Sequence, residues 1–191
     1  MLSAFDIRIN QERLSVFDDQ DAYKKLFYHF YERLKRFAKG IVRDDATAED
    51  IVAECFLILW NSRAKLTEVE NLNSYLYIIT KNIAIKELGK ARKINSFSIA
   101  DIELDFCSVT EKTPEDYLLN NELLRHLDNA VEALPPKCKL IYKLVKQEGL
   151  RYKEIASILN ISVKTIDAQM AIASRRITQS IQFAFTDYSS N

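Results

Sequence analysis

Only three glycines and three prolines occur in 191 residues. Glycine and proline are the residues that turn or break a chain, so few sharp turns are encoded. Long uninterrupted stretches then have to be helical, provided their apolar residues keep helical spacing. They do. In DDQDAYKKLFYHFYERLKRFAKGIV, Tyr23, Leu26, Phe27, Phe30, Leu34, Phe37 and Ile41 recur every three or four residues. TAEDIVAECFLILW opens with a capping pattern, Thr47 three residues before Asp50, and is apolar around most of its circumference. The spacing therefore predicts a second, central helix. RAKLTEVENLN reads as a polar connection. SYLYIITKNIAIKEL reads as a third helix with Leu76, Ile79 and Ile83 inward.

Between Lys90 and Thr113 the periodicity fades, and isolated apolar residues alternate with Ser, Asp and Glu. This stretch reads as an extended acidic linker. Regular spacing returns at TPED, where Thr113 is an N-cap, Pro114 the first helical residue and Asp116 the far member of a capping box. That helix runs toward Leu134 and stops before Pro135-Pro136. A further helix carries Leu140, Ile141, Leu144 and Val145 and closes at Gly149. The fold class is therefore all-α: two small helical bundles joined by an extended acidic linker. The expected boundaries are 1–91 for the N-terminal domain, 92–112 for the linker and 113–191 for the C-terminal domain.

YKEIASILNISVKTIDAQM is a helix, a short turn and a second helix. Tyr152, Ile155, Ala156 and Leu159 stripe the first. Asn160 tolerates the left-handed backbone of a turn, and Ser162 caps the second helix. Ile161 and Ile166 flank the cap as a hydrophobic staple. Val163, Ile166, Met170, Ala173 and Ile177 fall on one inner face, leaving Lys164, Thr165, Asp167, Ala168 and Gln169 outward at the helix start. A recognition helix places those positions in a major groove. A plain helical hairpin with a solvated surface is the competing reading.

The formal net charge is zero, but the charge is segregated. Residues 75–93 hold five bases against one acid, residues 96–116 six acids against one base, and residues 135–176 nine bases against three acids. Basic segments of this kind are the footprint of phosphate binding, unless they are ordinary solvated faces. The sequence shows no metal-ligand cluster, phosphate-binding glycine loop or nucleophile triad. No enzyme activity, cofactor or metal is expected. His29 and His126 stand alone on helices and read as packed or solvated. Three scattered cysteines, Cys55, Cys107 and Cys138, lack a CxxC pair. With no secretory leader and no membrane-spanning run, they point to a reducing cytoplasm and to no membrane insertion.

LPPKCKLIYKLVKQEGLRYKEIASILNISVKTIDAQMAIASRRI resembles the C-terminal promoter-binding domain of bacterial sigma factors. AEDIVAECFLILW followed by NLNSYLYIITKNIAIKEL independently resembles the core-binding and melting domain of the extracytoplasmic-function (ECF) class. The resemblance runs from about Ala22 to Ile177. After the third helix the family often carries several arginines; KELGKARK has Arg92 alone. The helix-turn-helix by itself also suits a response-regulator effector domain, and the paired motifs in this order separate the two.

The resemblance implies a protein that binds core RNA polymerase, directs it to promoters and helps open the duplex. It implies that Asp50, Ala53, Glu54 and Leu57 meet the polymerase. It places Asn71 and Asn73 in the loop that captures a flipped minus-ten base, with Tyr75, Tyr77, Thr80, Lys81 and Lys86 following. For the minus-thirty-five element, Lys164, Thr165 and Gln169 are base-edge candidates and Arg151, Lys153 and Arg175 phosphate contacts. Trp60 reads as core rather than interface. The expected partners are core polymerase, promoter DNA and an anti-sigma factor. A regulator that binds operator DNA without polymerase, and a bundle that binds another protein, are the competing functions.

Overall fold

The structure, a computed structural model, describes residues 2–92 and 121–188. The expected linker from residue 93 onward and the Thr113 capping box lie outside the described residues. Every regular element among the described residues is helical: α1 (Ala4–Phe17), α2 (Gln20–Val42), α3 (Asp45–Asn61), a 3-10 segment (Arg63–Glu68), α4 (Leu72–Arg92), α5 (Asn121–Glu132), α6 (Pro136–Lys146), α7 (Tyr152–Leu159) and α8 (Val163–Tyr188). They fall into two compact units: α1 to α4 lie in one, and α5 to α8 supply most of the other.

In the first unit α2, α3 and α4 pack on one another. The core side of α2 is Ala22, Leu26, Phe30, Leu34, Phe37, Ala38 and Ile41. Tyr23 and Phe27, expected inward, are half-buried at its edge. The Phe27 ring lies 4.7 Å from that of Phe56, and the Tyr23 hydroxyl donates to the Phe56 carbonyl at 3.1 Å. The start of α3 corrects the sequence reading. Its N-cap is Asp44, not Thr47, because the Asp44 carboxylate accepts from both the backbone N–H (2.7 Å) and the hydroxyl (2.6 Å) of Thr47. A carboxylate serving two donors outcompetes a hydroxyl three residues later. The polar connection is also more than coil: it forms the 3-10 turn and buries Leu66.

Helix α1 was not foreseen from its sequence. Ser3 and Asp6 form a reciprocal capping box, and Ser3 holds the Asp6 carboxyl below the usual carboxylate range. The buried side of α1 is Ile7, Asn10, Gln11 and Leu14. Two of these four are polar, so helical spacing is kept while hydrophobic spacing is not. Phe5, Ile9, Val16 and Phe17 face outward. Asp18, at φ 50°, ends the helix, and Asp19 caps α2.

In the second unit α5 and α6 both pack on α8. Ala130, Val131, Leu134, Cys138, Ala173 and Ile177 form the centre, with half-buried Leu127, Tyr142, Ile172 and Ile181 around it. Each fully buried aliphatic side chain contributes about 1.5–3 kcal/mol. Helix α5 ends at Glu132, two residues before the expected limit, and Pro136 opens α6. Gly149 takes φ +66°, the left-handed conformation that lets the chain leave α6, and Leu150 N–H reaches back to the Leu144 carbonyl at 3.0 Å.

Candidate nucleic-acid interface

The α7–α8 pair is a helix-turn-helix built from local rules. The Glu154 carboxylate accepts from the Arg151 backbone N–H at 2.6 Å and so starts α7. Asn160 sits at φ 53°, and Ile161 N–H closes the turn on the Ala156 carbonyl at 3.0 Å. Ser162 Oγ accepts from Thr165 N–H at 3.0 Å and caps α8. Ile166, Met170, Ala173 and Ile177 are buried as expected. Val163 is not: it is 43% exposed, because the first residue after the cap lies beyond the cover of the neighbouring helices.

Lys164, Asp167 and Ala168 are exposed, and Thr165 and Gln169 are half-buried. The Thr165 hydroxyl lies 2.8 Å from Ser162 Oγ, so it serves the cap as well as the surface. The Gln169 carbonyl accepts from the Cys138 thiol at 3.2 Å, tying α8 to α6; burial pushes that thiol up and keeps its proton in place. Arg151, Lys153 and Arg175 are exposed, and so is Arg176, which adjoins Arg175 and extends the phosphate candidates.

Two of the nine bases counted in this segment are internal. Lys139 and Lys143 are buried and reach the Glu132 carboxylate at 3.0 and 2.7 Å. Sequence counting missed this because Glu132 lies just ahead of the segment. Glu132 ends α5 and the two lysines lie on α6, so no spacing within one helix signalled the pairing.

In the first unit, Asn71 is exposed and caps α4, its Oδ1 accepting from Ser74 N–H at 2.8 Å. Asn73, expected in the loop, instead lies in the first turn of α4; it is half-buried, and its Oδ1 is buried with no protein partner. Tyr75 is half-buried, its hydroxyl 3.3 Å from that of Ser62. Lys81 is half-buried and Lys86 exposed. Two expected DNA residues are corrected. Tyr77 is fully buried, with its ring 5.1 Å from Phe37. Thr80 is fully buried, its hydroxyl donating to Cys55 Sγ at 3.4 Å. Leu76, Tyr77, Thr80, Ile83 and Ala84 share the core side of α4, so neither residue can stack on or pocket a base. Ile79, expected inward, is displaced to the edge of that face.

Asp50, Ala53, Glu54 and Leu57 are all exposed on one side of α3, Leu57 at 58%. Nearby acids are neutralised: Lys35 pairs with Glu49 and Lys39 with Asp45, both at 2.6 Å. No ion pair among the described residues engages Asp50 or Glu54. The result is an acidic surface with an apolar centre, suited to a basic partner. Trp60 is half-buried, set edge-on to Tyr23 at 5.1 Å with the Arg63 guanidinium 4.5 Å above its ring.

Two family models match the chain. Sigma-70 region 2 covers residues 26–94 and Sigma-70, region 4 covers residues 124–177. The chain is 28% identical over 155 residues to the probable RNA polymerase sigma factor RfaY of Xanthomonas campestris pv. campestris, covering 81% of this chain and 39% of that protein. It is 29% identical over 143 residues to the RNA polymerase sigma factor CarQ of Myxococcus xanthus, covering 75% and 79%. With the ECF RNA polymerase sigma-E factor of Escherichia coli it shares 24% over 170 residues, covering 86% and 88%. Solved structures that share the fold include two complexes. One is CnrH in complex with the cytosolic domain of CnrY (TM-score 0.57, 15% identity, 93% of this chain and 97% of that one). The other is RpoE with the anti-sigma factor NepR from Bartonella quintana (TM-score 0.55, 20% identity, 84% and 96%).

Proposed function

The chain belongs to the RNA polymerase sigma factors of the extracytoplasmic-function class, and on that premise we propose how its surfaces divide the work. A sigma factor performs no covalent chemistry. It binds core RNA polymerase, directs the enzyme to promoters and promotes strand opening. The observation that carries this reading is the order of the two matches, region 2 ahead of region 4, which gives one chain both a polymerase-binding and melting region and a duplex-reading region.

In the proposed division, the exposed side of α3, with Asp50, Ala53, Glu54 and Leu57, docks on the polymerase. The cap residue Asn71 and the start of α4 at Asn73, with Tyr75, Lys81 and Lys86 beyond them, handle the melted minus-ten strand. Bases stripped from the stack need hydrogen-bonding pockets, aromatic faces and cations, and these residues offer all three. The Asn73 carbonyl oxygen is enclosed and unpartnered, and it gains a donor when the side chain turns outward to the exocyclic amine of a base. At the minus-thirty-five element Lys164, Thr165 and Gln169 read base edges, while Arg151, Lys153 and Arg175 grip phosphates. The domain division is 1–91, 92–112 and 113–191, and the acidic linker follows the nucleic-acid path of the polymerase.

The protein works in the cytoplasm, where its polymerase is. Among the described residues no helix is long and apolar enough to cross a membrane. An anti-sigma factor is a proposed further partner, since both similar structures are complexes and NepR is named as an anti-sigma factor. The deciding experiment is run-off transcription with purified core polymerase on a genomic promoter library. Sequence-selective initiation only when the chain is added supports the reading. Tight operator binding without polymerase, or no binding to polymerase and DNA alike, overturns it.

A further inference from the structure

Helix α1 lies ahead of the matched residues 26–94, and the division of work above gives it no part. Its one deeply buried polar side chain with long-range partners is Gln11, 1% exposed. The Gln11 Nε2 donates to the carbonyls of Leu66 (2.5 Å) and Val69 (2.7 Å). Two acceptors on one nitrogen require the amine end of the carboxamide there; the oxygen would be repelled by both carbonyls. Leu66 lies in the 3-10 segment and Val69 directly follows it. The Leu66 carbonyl also takes Val69 N–H at 3.0 Å, and the Val69 carbonyl takes Arg8 Nη1 at 3.3 Å. The other end of the segment is held as well, since Arg63 pairs with Asp18, the residue that ends α1. Two residues beyond Val69 stands Asn71, the cap of α4 and the first residue of the proposed minus-ten site.

We infer that Gln11 is a positioning residue for the minus-ten site: its carboxamide clamps the Leu66 and Val69 carbonyls and so sets where Asn71 and Asn73 are presented to the unpaired strand. The inference rests on the reading of that site as a DNA contact. Asn71 caps α4 and Asn73 sits in its first turn, so both take their position from the chain that enters the helix, and a recognition site tolerates only about 0.5 Å of drift. Removing the clamp leaves the Leu66 carbonyl with Val69 N–H and the Val69 carbonyl with Arg8 Nη1, so the chain entering α4 loses its buried anchor to α1 and is held by its weaker bonds.

The test uses holoenzyme assembled from the full chain and core polymerase. Gln11→Met keeps the length of the side chain and removes both donors. Arg8→Ala removes the exposed donor to Val69. Asn71→Ala and Asn73→Ala serve as references. Three quantities are read: permanganate reactivity on duplex promoter, the same on a template pre-melted across the minus-ten element, and base preference at each unpaired position. For Gln11→Met the expected result is a roughly tenfold loss of opening on duplex, the size of one to two lost hydrogen bonds. Opening on the pre-melted template should recover to within about twofold. Base preference should flatten at the position affected by Asn73→Ala, while minus-thirty-five preference and polymerase retention stay unchanged. An equal fractional loss on every readout would mean that Gln11 only stabilises the unit, and would overturn the inference. If the asparagine variants are defective and Gln11→Met is not, the positioning role alone falls. If the asparagine variants behave as wild type, the reading of that site fails and the inference fails with it. Should Gln11→Met not fold, Arg8→Ala decides: a two- to threefold loss with the same split supports the clamp, and wild-type behaviour overturns it.

Discussion

Single side chains in this protein are settled by which side of a helix they occupy. Tyr77 illustrates the point. It adjoins Ile78 and lies two positions after Tyr75, yet it is fully enclosed beside Phe37 while Tyr75 reaches the surface. Tyr77→Ala should therefore cost about 3–5 kcal/mol of unfolding free energy, as for other large-to-small changes in a core. Urea unfolding of the full chain measures this; an unchanged midpoint would return Tyr77 to the surface. His29 behaves differently. It is half-buried, its Nδ1 accepts from Leu2 N–H at 3.0 Å, and the Arg33 guanidinium lies 3.2 Å from Nε2. Burial first, and then Arg33, hold its pKa below the ordinary 6.5. The folded chain thus binds this proton less readily than the unfolded chain. The stabilising contribution is complete above about pH 6.5 and is lost as the pH falls from there through the lower folded value. Thermal unfolding followed between about pH 8 and pH 5 should show a decline on the acid side that His29→Asn makes shallower.

At the scale of elements, caps and left-handed residues define the helix-turn-helix. Gly149 has open space around the position a Cβ would take, so Gly149→Ala meets no clash. Its cost is that of placing an L-residue at φ +66°, about 1 kcal/mol, and a calorimetric scan should find it. Ser162→Ala removes the acceptor for Thr165 N–H and should also cost about 1 kcal/mol. The two differ in consequence. Gly149 lies ahead of α7, whereas Ser162 holds the exposed start of α8, so only Ser162→Ala should also weaken discrimination among minus-thirty-five sequences. Competition binding with holoenzyme checks this; equal discrimination by both variants would separate the cap from base reading.

For the whole molecule, charge is the property that sequence counting overstates. Lys139 and Lys143 are consumed by Glu132, so the exposed basic surface is smaller than the nine bases of residues 135–176 suggest. Alanine at Arg151 or Arg175 should lower the salt slope of promoter binding by about one unit each, while Lys139→Ala should leave the slope unchanged and lower stability instead. Titration of holoenzyme binding at several salt concentrations distinguishes the two. The all-α class, the start of α8, the turn at Asn160, the exit at Gly149 and the family were all legible in the residues. Each depends on local backbone preferences or on runs of apolar spacing, and such signals are complete within a short window. The side of α4 that carries Tyr77 and Thr80 and the pairing of Glu132 with two lysines were decided only by tertiary packing. So was α1, whose buried side uses Asn10 and Gln11 where a core helix would show aliphatics. Gln11 becomes a core residue because a distant segment supplies its partners, the Leu66 and Val69 carbonyls, more than fifty residues away.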